Sequence, residues 1–163
     1  MKRRERRSIP GAAAALLGFV GLCLLVGAAG GSLTAEAVRH WYPSLSAPPF
    51  NPPNWIFAPV WTALYVDIGV AAWLVWLRPG SNAALRLWGW QLAANAAWPA
   101  SFFGLRNPGL GLIVIVVMLA STVATIFAFH RRRRLAAWLL MPYLAWSLFA
   151  AYLNAGFWWL NQT

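Results

Sequence analysis

The sequence predicts an all-α membrane protein: a five-transmembrane-helix bundle, with a Pro/Trp-rich loop between helices 1 and 2 as lid. Three observations predict it. Of 163 residues, 61% are hydrophobic and only 10% are charged, where soluble chains carry roughly 25% charged residues. The charge is also bunched, with Lys2, Arg3, Arg4, Arg6 and Arg7 at the start and Arg131 to Arg134 forming a second cluster. Between the clusters run nearly uncharged stretches, each long enough for the ~20 helical residues that cross a bilayer. That composition excludes a soluble enzyme, and its apolar mass excludes a disordered basic tail. A net charge of +10 invites a nucleic-acid partner, but such proteins spread their cations over a folded face. Here the cations sit in short connections between apolar runs, as in a polytopic membrane protein, and no nucleic-acid partner is expected.

Residues 1–7 read as a basic cytoplasmic tail. Helix 1 is expected near 10–33, inside the uncharged stretch 8–35. Its rival is a cleavable signal peptide ending at Ala35-Glu36-Ala37, for which the apolar run is long. Residues 35–54 form the outer loop. Helix 2 is expected near 55–77, in a run broken only by Asp67. Helices 3, 4 and 5 follow near 84–104, 109–129 and 135–159, so residues 1–163 make a single membrane domain. Five spans place eleven Lys and Arg residues on the N-terminal side: those of the tail, Arg78, Arg86 and Arg131 to Arg134. Only Arg39 and Arg106 lie opposite. Positive residues stay inside, so the N-terminus is expected in the cytoplasm and the C-terminus outside, in a bacterial cytoplasmic membrane.

The loop AEAVRHWYPSLSAPPFNPPN is stiffened by Pro43, Pro48, Pro49, Pro52 and Pro53, which fix φ and push the residues before them to extended forms. Trp41, Tyr42 and Phe50 are interleaved with these prolines. The loop reads equally as a lid over the bundle mouth or as an interfacial aromatic anchor. Beneath it, helical spacing gathers a set of flat and polar side chains. Trp61 and Tyr65 are four apart on helix 2, and Gln91, Asn95 and Trp98 share a face of helix 3. Tyr143, Trp146, Ala150 and Asn154 share a face of helix 5. Aromatic walls with a few placed polar groups suit a flat amphipathic ligand, and Arg39 near the mouth could pair with its carboxylates. The competing reading is core filling by the aromatics and interhelical hydrogen bonding by the asparagines.

Further polar residues need an account. Asp67 is an intramembrane carboxyl, about 200° from Tyr65, with Ser121, Thr122 and Thr125 at a similar depth as hydrogen-bond partners. It reads as bundle glue or as a proton or ligand site. His40 and His130 could ligate haem iron, but no second ligand supports them. Cys23 is the only cysteine, which excludes a disulfide framework and a Cys-based zinc site. No paired carboxylates, nucleophile–base set or metal cluster appears, so no catalytic residues, no metal and no required cofactor are expected. Gly89, Ala93 and Ala97 form a small-residue stripe on helix 3 that fits a homodimer contact or close packing inside the bundle.

The sequence resembles the translocator protein family, also called the tryptophan-rich sensory proteins or TspO/MBR. The resemblance is carried by Trp41-Tyr42, by Pro48-Pro49-Phe50-Asn51-Pro52-Pro53-Asn54-Trp55 and by Pro59-Val60-Trp61-Thr62-Ala63-Leu64-Tyr65. Gln91-Leu92-Ala93, Asn95, Trp98-Pro99, Phe102-Phe103-Gly104, Pro142-Tyr143-Leu144-Ala145-Trp146 and Leu153-Asn154 continue it over roughly residues 10–160. The resemblance implies a bacterial member, a five-helix bundle that is commonly dimeric, and a pocket closed by the first loop. It implies a tetrapyrrole ligand, protoporphyrin IX or haem, in a site lined by Trp61, Asn95, Trp98 and Trp146. Sensing, scavenging or regulating porphyrin traffic would then be the role, with transport as the alternative. Light-dependent porphyrin degradation is the other alternative, and Trp61 and Trp146 match the tryptophans implicated in it. Two departures stand out. Leu110 replaces a tryptophan of some members at one wall. No Lys or Arg follows 153–159, so the sterol-recognition pattern of animal members is incomplete.

Overall fold

The computed structural model describes residues 9–162, so the basic tail 1–7 lies outside the described residues. Helix α1 runs Ile9–His40, well past the expected end near residue 33. The segment AEAVRH consists mostly of good helix formers. Arg39 and His40 in the last turn also complement the negative end of the helix dipole. The outer loop is therefore shorter than expected. It holds two 3-10 turns, Tyr42–Ser44 and Asn54–Ile56.

Helix α2 spans Phe57–Trp76 and α3 spans Asn82–Pro99. Pro99 has no N–H to return to Asn95, and the chain widens into a π-turn, Ala100–Gly104, closed by Leu105 N donating to Ala100 O at 2.8 Å. Proline in a helix interior forces such a local change of register. Helix α4, Pro108–His130, starts with Pro108 at its first position and with the Asn107 side chain accepting from Leu110 N at 2.9 Å. Both are favourable helix starts.

The last predicted helix, 135–159, is two helices: α5, Arg134–Leu139, and α6, Met141–Leu160. Pro142 cannot donate to Trp138, and Leu140 N turns to Ala137 O at 3.1 Å before α6 restarts with Leu144 N donating to Leu140 O.

The described residues contain no strand. Around the bundle, α1 packs on α2, α2 on α5 and α6, these on α4, α4 on α3, and α3 back on α1. At the α1–α2 crossing, a Cβ added to Gly69 would sit 2.7 Å from Val20 Cα, so the two backbones touch there. The Trp73 indole ties the same end by donating to Ala12 O at 2.8 Å.

The outer surface carries Leu17, Leu25, Ile113, Val116, Val117 and Phe127, all exposed. So large an apolar exterior is the surface of a multi-pass membrane protein. Four helical stretches are long and apolar enough to cross: Gly11–His40, Asn54–Trp76, Pro108–His130 and Arg134–Leu160. Helix α3 is the fifth helix of the bundle, but Asn82, Arg86, Gln91 and Asn95 keep it below that apolarity.

Candidate ligand-binding site

Between α1, α2, α3 and α6, at the end covered by the loop, lies a cavity of about 470 Å³. That size falls in the range of small-molecule sites, roughly 300–1,000 Å³. Six of the ten residues singled out in the sequence line it: Trp61, Tyr65, Asn95, Trp98, Ala150 and Asn154.

Trp61 stands at the centre of an aromatic wall, with its ring 5.9 Å from Tyr65 and 6.2 Å from Trp98. The polar groups on the wall are tied down. Tyr65 donates its hydroxyl to Asn95 Oδ1 at 2.6 Å. The Trp98 indole donates to Asn154 Oδ1 at 2.9 Å, and Asn154 Nδ2 donates to Pro108 O at 2.7 Å. Buried polar groups of this kind hold their rotamers because leaving one unpaired costs about 1–3 kcal/mol. The site is therefore fixed before any ligand arrives.

The other four residues lie off the wall. Tyr143 is fully buried beneath it and accepts from both Asn95 Nδ2 at 3.0 Å and Gln91 Nε2 at 2.6 Å. Gln91 is the support of that floor, and its Oε1 is buried without a partner. Trp146 packs against Phe57, a wall residue, at 5.9 Å, and its indole N–H is buried and unpaired. Trp41 meets Phe102 edge-on at 5.7 Å, outside the cavity. Helical spacing placed these four on the correct side of their elements. It cannot distinguish a residue that faces a void from one that packs behind it.

The sequence reading missed an entire wall, α1. Gly27, Gly30, Gly31 and Thr34 all line the cavity. A Cβ at Gly27 would meet the Tyr65 ring at 2.5 Å, and one at Gly30 would meet Pro99 at 3.2 Å. The run Gly27-Ala28-Ala29-Gly30-Gly31 was the available signal, since small residues inside a span let neighbours approach closely. Phe57 and Phe157 complete the lining. Leu110 does not reach it, and Gly111 is the α4 residue against Asn154 Oδ1.

The loop sits firmly on α6. Pro48 rests where a Cβ on Gly156 would come within 2.5 Å. Tyr152 donates to Pro49 O at 3.0 Å, and the Asn161 amide pairs with Ser46 N and O at 2.9 and 3.1 Å. From the loop, Tyr42 and Asn54 reach the cavity. Burial holds the Tyr42 phenol above its ordinary pKa, so it stays a donor, to Asn51 Oδ1 at 3.0 Å.

The remaining polar residues take no part. Asp67 is partly exposed on α2 and does not line the cavity. Ser121, Thr122 and Thr125 bond carbonyls of their own helix instead of Asp67, as hydroxyls inside helices commonly do. His40 pairs with Glu36 O of its own helix at 3.2 Å. Arg39 is exposed and off the cavity, and Arg106 forms an exposed ion pair with Glu36 at 3.8 Å. Among the described residues, no group of three His, Cys, Asp or Glu could hold a metal.

Comparison with known proteins gives concordant matches. The TspO/MBR family pattern matches residues 19–160. The "Tryptophan-rich protein TspO" of Chlorobaculum tepidum is 42% identical over 139 residues, covering 83% of this chain and 88% of that one. The "Translocator protein" of Bos taurus is 40% identical over 151 residues, covering 90% and 89%. The "Tryptophan-rich sensory protein" of Cereibacter sphaeroides is 39% identical over 115 residues, covering 71% and 73%.

Proposed function

This chain belongs to the TspO/MBR family, and from that premise we propose that it binds a tetrapyrrole in the cavity beneath the loop. Its role is then that of a membrane sensor, scavenger or regulator of porphyrin traffic. The observation that carries the reading is the wall itself. Trp61, Trp98 and Tyr65 offer flat faces to a macrocycle, while Asn95 and Asn154 offer the few polar contacts that would orient it. The test is a dark titration of the purified protein with protoporphyrin IX, followed by illumination. Saturable quenching of tryptophan fluorescence supports a binding protein. Quenching that never saturates would refute it. Light-dependent loss of the bound porphyrin supports the photochemical alternative, which Trp61 on the wall favours.

The same reading makes α3 a fifth span. Its Gln91 and Asn95 point inward and are buried, so average apolarity understates how well its outer face suits lipid. With five spans the N-terminus is inside and the loop outside. A reporter active only outside should therefore work when fused after Thr163 and fail when fused within 130–134. Activity at 130–134 would remove the five-span arrangement.

A homodimer through α3 completes the proposal. Ala93 and Ala97 are exposed, and a Cβ on Gly89 would meet nothing within 4 Å. The stripe is thus free of packing inside the bundle and available to a second copy. Replacing Ala93 by leucine should give monomers that still bind protoporphyrin IX, measured by light scattering and quenching. A dimer that survives the change would place the contact elsewhere.

A further inference from the structure

The cavity needs a way in, and its borders differ in how they are closed. Toward α3, α1 is sealed: Gly30 sits against Pro99, and Cys23, Gly30 and Ala37, seven residues apart on one face, are all buried. Toward the loop the cavity is covered by a segment clasped to α6 through Ser46, Pro48 and Pro49.

Toward α2 the seam is tight only in the half away from the loop. It holds at Val20 and Gly69, and its last close contact is the Tyr65 ring against Gly27. Beyond that point, Ala28 and Gly31 of α1 and Ala58 and Thr62 of α2 both line the cavity and are exposed. The hydroxyls on this border are already satisfied. Thr62 donates to Ala58 O at 2.8 Å and Thr34 to Gly31 O at 2.9 Å, each within its own helix. A border of small residues with no free donor can face hydrocarbon without cost.

We propose that the cavity exchanges its ligand with the bilayer through a slot between α1 and α2, bordered by Ala28, Gly31, Ala58 and Thr62, and not with water past the loop. The ligand class is a flat, largely apolar molecule that partitions into the membrane first. The proposal rests on the cavity being a tetrapyrrole site. It accounts for a loop that is pinned at three points although it covers the mouth, because nothing has to pass it.

The experiment follows protoporphyrin IX exchange by stopped-flow tryptophan quenching, with the protein in lipid nanodiscs. Two variants separate the routes. Gly31→Phe places a ring in the slot, where a Cβ meets nothing within 4 Å. Asn161→Ala releases the loop from α6. Gly31→Phe should slow uptake and release together by about tenfold, and Asn161→Ala should leave both within about twofold, as expected for a gate at the slot. Ala58→Phe repeats the plug from the α2 side and should act as Gly31→Phe does, which guards against one variant failing to fold. The slot is overturned if both plugs leave uptake unchanged, or if Asn161→Ala accelerates exchange and the plugs do not slow it. A parent protein that never shows saturable quenching would instead overturn the tetrapyrrole site itself, and this is read before any variant is compared.

Discussion

Gly27→Leu should abolish tight ligand binding. A Cβ at Gly27 falls 2.5 Å from Tyr65 Cε2 and 2.6 Å from its Cδ2, so the ring has to leave its place. Leaving breaks its 2.6 Å hydrogen bond to Asn95 and strands a carboxamide oxygen that is otherwise buried. Overpacking costs about 1–3 kcal/mol and an orphaned buried acceptor about 1–3 kcal/mol. Since every 1.4 kcal/mol is tenfold in affinity, the combined effect is roughly two orders of magnitude or more. The leucine side chain also fills part of the cavity. Dark protoporphyrin IX titration measures the outcome, with helicity by circular dichroism as the check on folding. Undiminished affinity in a folded Gly27→Leu protein would move the ligand to another face. Tyr65→Phe separates the two contributions, since it removes the hydroxyl but keeps the ring and the space.

The contrast between Gly27 and Trp61 shows what the sequence could convey. Trp61, Tyr65, Asn95, Trp98, Ala150 and Asn154 reach the cavity as helical spacing suggested, because aromatic and polar residues inside spans are rare enough to be noticed. The α1 wall carries glycine and alanine, whose contribution is the space they leave, and no periodicity of size or charge announces a space. Gln91 and Tyr143 look identical in pattern to wall residues, yet they form the hydrogen-bonded layer beneath.

At the level of the fold, runs of uncharged residues located the long helices but not their ends. The charged residues Glu36 and Arg39 suggested a loop, although helix propensity carried α1 on to His40. Pro142 broke the last helix at Leu140, a cut that hydropathy does not register. The polar side of α3 was legible as a binding face and, for the same reason, obscured its standing as a span.

The second large effect concerns light. Trp61 and Trp146 are equivalent by sequence match but not in position. Trp61 lines the cavity, whereas Trp146 stands behind Phe57 with its indole N–H buried and unpaired. Phenylalanine keeps most of the stacking area, but it is much harder to oxidise than indole. In the dark, Trp61→Phe should cost about 1 kcal/mol of binding or less, on the scale of aromatic pair energies of about 0.5–1.5 kcal/mol. Trp146→Phe should cost nothing measurable, since it gives up no hydrogen bond and no contact with the ligand. Under illumination the order should change in size and not in sign. If bound porphyrin is consumed, the Trp61→Phe protein should lose most of that activity, because its indole is the donor in direct contact with the photoexcited macrocycle. Trp146→Phe should lose less, because its electron has to pass the Phe57 ring. Asn95→Leu is the converse case: it strands the Tyr65 and Tyr143 hydroxyls, and it should weaken dark binding while leaving both indoles able to react. Absorbance loss per absorbed photon, measured at saturating porphyrin, separates chemistry from occupancy. Parent-rate loss in both phenylalanine variants would make the tryptophans walls and nothing more. A larger effect at Trp146 than at Trp61 would mean that the macrocycle lies against α6, on the far side of Phe57.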